Sequence, residues 1–167
     1  MTHPALDTAL RVGLVRRLLC IVYDLLLIIA LIFIASIPPV VLFSAPAAGG
    51  GELQPAFYQG HPLWLAAFYL YLATVVFGFY GWFWTHGGQS LGMKTWGVRV
   101  EQWDGRPLTW GVALKRYVWA IVSWAIAGIG FLMSLFRADG MALHDLKSGT
   151  RLVKTRRPRQ PDAPPEA

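Results

Sequence analysis

The chain has 167 residues, room for one domain of ordinary size. Hydrophobic residues make up 55% of it and charged residues only 14%, against about 25% charged in a soluble domain. Residues 25–93 carry a single charge, Glu52, and residues 117–136 carry none. So few charges cannot cover the surface of a water-soluble protein of this size, which excludes an ordinary soluble enzyme and points to a lipid bilayer. The formal net charge of +6 does not indicate nucleic acid, because Lys and Arg flank apolar blocks and form no single stripe. They read instead as residues at the cytoplasmic edges of a membrane. Cys20 is the sole cysteine and lies inside the first apolar block, so no internal disulfide can form. It reads as a small buried hydrophobe in preference to a palmitoylation site.

In chain order, residues 1–10 are a polar lead, residues 11–154 a membrane domain and residues 155–167 a basic, Pro-rich tail expected to be disordered. The first apolar block covers residues 18–43, interrupted only by Asp24. It exceeds the roughly 20 residues needed to cross a bilayer core. Pro38 and Pro39 predict an end or a kink near its outer edge. A cleaved signal peptide with Ala45-Pro46-Ala47 at its processing site is the weaker reading, since signal cores run to about 7–15 residues. Residues 44–62 contain Gly49-Gly50-Gly51 and no Lys or Arg, and read as an external loop. The second block, residues 63–84, ends in Phe79, Tyr80, Trp82, Phe83 and Trp84, an aromatic cluster suited to the headgroup level or to packing.

Residues 85–116 change character. Gly87-Gly88 and Gly92 punctuate a loop, and residues 94–103 alternate as a strand, with Trp96, Val98 and Val100 on one face and Arg99 and Glu101 on the other. Asp104-Gly105 is a turn signal, and Thr109 an N-cap for a helix leading into the third block, residues 118–136. A second strand over residues 150–154 is expected to pair with the first, bringing positions 98 and 152 together.

Lys plus Arg number three in residues 1–17, none in the first loop, five in residues 85–116 and seven in the C-terminal segment. By the positive-inside rule residues 1–17, the second loop and the tail are all cytoplasmic. Three full crossings would put the tail outside. The third block is the weakest span: Gly128 and Gly130 near its middle predict a bend and a re-entrant hairpin, or else mark close helix packing in a full crossing.

Asp24 is the residue most suggestive of chemistry, because an ionisable group inside an apolar block is expensive. It lies seven residues, two helical turns, after Arg17 and so on nearly the same face. Three readings stay open: a structural pair with Arg17, Arg116 or a nearby donor; a proton or cation relay; and a lone protonated acid. His144 beside Asp145 can titrate as a unit, or cap and bond backbone. His3, His61, His86 and His144 are dispersed, no metal-ligand spacing is present, and no phosphate loop, nucleophile elbow or dinucleotide fingerprint occurs. No cofactor, metal or catalytic residue is therefore expected, and the chain is not read as an enzyme.

Taken together, Arg17-x6-Asp24, Gly88-Gln89-Ser90-Leu91-Gly92, Gly97-Val98-Arg99-Val100, Asp104-Gly105, Lys115-Arg116-Tyr117 and Leu143-His144-Asp145-x3-Gly149-Thr150 resemble the RDD family of small bacterial integral-membrane proteins. The resemblance covers about residues 11–154 and rests on the order and spacing of the motifs. It implies that Arg17, Asp24 and Asp145 are the Arg and two Asp of the name, with Arg17 chosen over Arg16 by spacing. Ser90 stands where the family usually has Thr, and Met93 where many members carry Lys, with Lys94 adjacent. The resemblance implies fold and a bacterial inner-membrane location more than activity; transport is suggested for the family, and some members are linked to sodium/proton exchange.

The predicted fold class is an all-α integral membrane protein with three apolar helical segments, the third re-entrant, and a small cytoplasmic β-hairpin-like polar cap. Both termini are expected in the cytoplasm. The leading functional expectation is cation or proton transport with Asp24 as the exchanging carboxylate, its charge state tuned by Arg17 and Arg116, and with His144 and Asp145 completing the polar core. The alternative is a non-catalytic membrane assembly factor or accessory subunit. Expected partners are the lipid bilayer, further copies of the chain or a membrane partner protein, and a proton or monovalent cation; no nucleic acid is expected.

Overall fold

The computed structural model describes residues 12–46, 53–55, 62–126, 130, 133–134 and 141–155, with 44–46 and 53–55 described by backbone alone. The protein is mostly helical and forms two compact units. One is Leu25–Tyr80; the other combines the residues up to Asp24 with those from Gly81 onward.

Helix α1, Leu14–Leu42, and helix α2, Pro62–Thr85, are both long and apolar enough to cross a membrane. At 29 residues α1 is about 44 Å long, more than the roughly 30 Å of a hydrocarbon core. Their apolar side chains face outward, as with Phe33, Val41, Leu63 and Leu70, which no soluble core would leave open. Pro38 and Pro39 lie inside α1, which continues to Leu42, about one turn further. Proline at 39 removes the amide that would bond the Ala35 carbonyl, and the Tyr71 hydroxyl of α2 donates to that carbonyl instead, at 3.2 Å. Between the helices, β1 (Ser44–Pro46) pairs antiparallel with β2 (Leu53–Pro55), an element the loop composition did not suggest.

In the other unit, α3 (Leu91–Thr95) occupies part of the stretch expected as strand. Ser90 caps it, accepting the Met93 amide at 3.3 Å, and Gly97 at φ +59° turns the chain out of it. The strand β3 therefore starts only at Val98 and ends at Gln102, and Trp96 and Lys94 are not in it. Gly105 at φ +81° makes the expected turn after Asp104, whose carboxylate accepts the Arg106 amide at 3.0 Å. The Thr109 side chain caps α4, Trp110–Ala125. Helix α5, Leu143–Ser148, packs against α4 and ends at Gly149, φ +71°, before β4, Thr150–Lys154.

Strands β3 and β4 pair antiparallel, with α4 and α5 lying between them in the chain, so they are not a hairpin. The register also differs from expectation: Val98 opposes Lys154, and Leu152 opposes Val100. Val98 and Val100 are both 1% exposed, so the register is set by which face must be buried. Gly88 closes the other edge of β3, its carbonyl accepting the Val100 amide at 2.7 Å. A Cβ on Gly88 would lie 2.6 Å from the Val100 oxygen, and its φ of +69° already favours glycine.

Of the third apolar block, α4 accounts for residues up to Ala125, and the Ala127-Gly128-Ile129 stretch lies outside the described residues. So do most of the tail, the lead through residue 11, and His3 and His61.

The register is directly testable. Opposed Cα atoms lie about 4.5–5.5 Å apart and diagonal ones about 7–8 Å, while a disulfide spans at most about 7 Å. Val98→Cys with Lys154→Cys should therefore bridge on oxidation, and Val98→Cys with Leu152→Cys should not, as read by non-reducing gel mobility.

Candidate functional site: two buried carboxylates

The five polar residues singled out by sequence do not form one cluster. Asp145 lies on α5 with no exposure at all. Its Oδ2 accepts from Arg17 of α1 at 2.8 Å and its Oδ1 from Arg116 of α4 at 2.6 Å. Oδ2 also accepts the Ala142 amide at 3.1 Å, so the same side chain caps its own helix. One Asp thus ties three helices together. Arg116 also donates to the Thr150 hydroxyl of β4 at 2.5 Å, and its guanidinium lies over the Trp84 ring of α2, 5.3 Å from the centroid. Ser148 completes the arrangement, 2.8 Å from the Thr150 hydroxyl and donating to the His144 carbonyl at 2.5 Å.

Burial alone would raise the Asp145 carboxyl. Arg116, the His144 imidazole, Arg17 and the Ala142 amide outweigh it and hold the carboxyl well below the usual carboxylate range. His144 is buried, with Nε2 3.5 Å from Asp145 Oδ1. Burial, opposed by Asp145 and reinforced by Arg116 and Arg17, pushes its imidazole down to about 4, so it is neutral at physiological pH.

Asp24 has quite different surroundings. It is 4% exposed, and both of its oxygens accept from neutral donors of the α3 region: the Ser90 hydroxyl, in a very short hydrogen bond, and the Gly92 amide at 2.8 Å. Among the described residues no Lys, Arg or His lies within ion-pair distance of it. Of the partners proposed from sequence, the nearby donor is therefore the one found, and Arg17 and Arg116 are committed to Asp145 instead. The seven-residue spacing is real but serves two sites, with Arg17 reaching one carboxylate while Asp24 forms another.

The glycine at 92 makes this second site possible. A Cβ there would overlap the Cys20 carbonyl of α1 and come within 2.9 Å of Asp24 Oδ1. Only a backbone without a side chain brings its N–H so close to α1. Ser90 and Gly92 were visible in the sequence within the motif Gly88-Gln89-Ser90-Leu91-Gly92, yet nothing local indicated that they face Asp24. Thr150, Ser148 and Trp84 were likewise not identifiable as parts of the Asp145 site.

Other charged groups stay separate. Glu101 of β3 pairs with Arg99 at 3.0 Å and, across the sheet, with Arg151 at 2.8 Å. His86 stacks on Trp82 with centroids 3.9 Å apart. Among the described residues no group of three His, Cys, Asp or Glu side chains is placed to hold a metal ion.

Two long apolar helices with outward apolar faces, joined to a unit whose interior is an Arg–Asp–Arg cluster, define a small helical membrane-type protein. The chain belongs to the RDD family, whose family model matches residues 11–149. No curated protein and no solved structure matches it.

Two outcomes follow. Asp145→Asn leaves two buried guanidiniums without their carboxylate and should destabilise the protein by roughly 3–5 kcal/mol, read as a lower melting temperature in detergent. His144 titrates near 6.5 when unfolded and at about 4 when folded. Between these values the unfolded state binds the extra proton, so stability falls by up to about 3 kcal/mol as pH drops through that window. Asp145, held below the carboxylate range, keeps its contribution throughout it. The melting temperature should be lower at pH 5 than at pH 7, and His144→Gln should flatten most of that difference.

Proposed function

We propose that this protein is a multi-pass bacterial inner-membrane transporter of protons or monovalent cations, and not an enzyme, with Asp24 as the exchanging carboxylate. The observation carrying this reading is that Asp24 is buried and, among the described residues, receives its hydrogen bonds from the neutral Ser90 hydroxyl and Gly92 amide. A carboxylate bonded by a hydroxyl and an amide is oriented, but its charge is not cancelled, which leaves a proton or a small cation to do so. Uptake of a proton would weaken the hydrogen bonds from Ser90 and Gly92 and loosen α3 from α1, which offers a local change of access. Arg17 and Arg116 act here as the frame that keeps α1, α4 and α5 together. His144, buried and neutral, belongs to that frame.

Each chain has two described helices long enough to cross a bilayer, too few to enclose a pathway alone, so the reading includes assembly of several copies. The excess of Lys and Arg in residues 11–17, the second loop and the tail supports a cytoplasmic location for both termini.

One observation favours a second reading. The Arg17–Asp145–Arg116 cluster pairs both guanidiniums with one carboxylate and suits an accessory or assembly subunit whose buried charges hold a fixed shape for a membrane partner. The two readings diverge on Asp24→Asn. As a transporter, the variant should incorporate normally into proteoliposomes yet lose sodium- or pH-driven flux down to the level of empty vesicles. Wild-type flux in Asp24→Asn overturns the transport mechanism, and loss of abundance with unchanged flux per molecule favours the accessory role.

A further inference from the structure

Helix α4 turns its two sides to opposite environments, in the reverse of the usual sense. Ala113, Arg116 and Ser123 are buried on the side that holds Asp145. Trp110, Leu114, Val118, Ile121 and Trp124 are each 46–64% exposed. Their spacing of four, four, three and three residues keeps them on one face of a helix with 3.6 residues per turn. The only exposed charge on α4 is Lys115. A surface helix in water puts its polar side out; this one buries an arginine and a serine and presents a continuous apolar stripe.

The length of α4 limits what that stripe can contact. Sixteen residues make about 24 Å of helix, short of the roughly 30 Å hydrocarbon core. Nor does the helix axis continue to Gly130. A Cβ on Gly130 would overlap the Ser123 hydroxyl and lie 2.6 Å from the Ser123 Cβ, whereas seven residues of continued helix would separate the two positions by about 10 Å. Gly130 therefore lies beside α4 and not beyond its end.

What covers the stripe is indicated by the same unit. The α1 residues Val15, Leu18 and Val22, and Trp82 of α2, bring exposed apolar surface of the two candidate membrane helices into it. Stripe and helices together form apolar surfaces on one small body, and the stripe has a tryptophan near each end, suited to the headgroup boundary. Lys115 has a stem long enough to lie along apolar surface while its ammonium reaches the headgroups.

We propose that α4 is a one-leaflet membrane helix, its Trp110–Leu114–Val118–Ile121–Trp124 stripe sunk among the acyl chains of the leaflet next to the polar unit without crossing to the other side. Burial of an apolar helix face in one leaflet is the way interfacial helices bind membranes. The inference rests on the membrane location of the protein and is independent of whether it transports anything.

Site-directed spin labelling in proteoliposomes tests it. Single cysteines are introduced as Leu114→Cys, Val118→Cys and Ile121→Cys in a Cys20→Ala background, with Ile29→Cys and Leu70→Cys as references on α1 and α2, and Lys147→Cys as an exposed polar reference. Collision rates with oxygen and with a water-soluble nickel chelate give the depth of each label. Expected is oxygen contact exceeding nickel contact at 114, 118 and 121, with no label passing the bilayer midplane, about 15 Å deep. Dominant nickel contact at these three positions overturns the inference, as does a depth that increases steadily along α4 past the midplane. Spin–spin broadening at these positions that persists at high lipid dilution also overturns it, because a second copy of the chain then covers the stripe. Nickel contact at positions 29 and 70 overturns the membrane location itself, and the inference with it.

Discussion

Two guanidiniums converge on one fully buried carboxylate, and the polar unit is organised around that meeting. Asp145 is stable without exposure only because Arg17 and Arg116 bring their charges to it from two other helices. Each of those arginines is in turn tolerable in its apolar surroundings only because Asp145 is there. The same carboxylate caps α5, and Arg116 extends the network to Thr150 at the start of β4. Register of the β3–β4 sheet, position of α5 and the packing of α4 against α5 are therefore not independent choices. Removing the central charge disturbs all of them together.

The second carboxylate shows how much the identity of the donors matters. Asp145 has its charge cancelled by cations and is held in one state. Asp24 receives hydrogen bonds of comparable number from groups that carry no charge. The first arrangement fixes both the charge and the position of the carboxylate, and the second fixes its position alone. That division follows from Gly92 in α3 and Ser90 at its cap as much as from the acids themselves, because the close approach of Gly92 to Cys20 is what places the donors.

Local signals were read well where local physics decides. The apolar block at 18–43 became α1, and that at 63–84 became α2, because length and uninterrupted hydropathy leave few other structures available. Thr109 and Asp104-Gly105 acted as the cap and turn that their side chains suit. The alternation from Lys94 onward becomes strand only at Val98, because the Ser90 cap makes one helical turn first and Gly97 then changes the direction of the chain. The pairing of β3 with β4 was expected, but its register was not, since nothing in either strand alone states which residue opposes which.

Composition and hydropathy were enough to place the protein in a membrane, to delimit two of its helices and to identify Arg17, Asp24, Arg116, His144 and Asp145 as its unusual polar residues. Those properties are local: each depends on the residues of one segment and on the cost of exposing or burying them. Which acid met which base was decided only by the tertiary structure. Arg17 and Asp24 share a helix face, yet one turns to Asp145, 128 positions away in sequence, and the other to Ser90 and Gly92. Hydrogen bonds and ion pairs select by distance in space, and that distance is set by packing of separate segments that no single stretch of sequence contains.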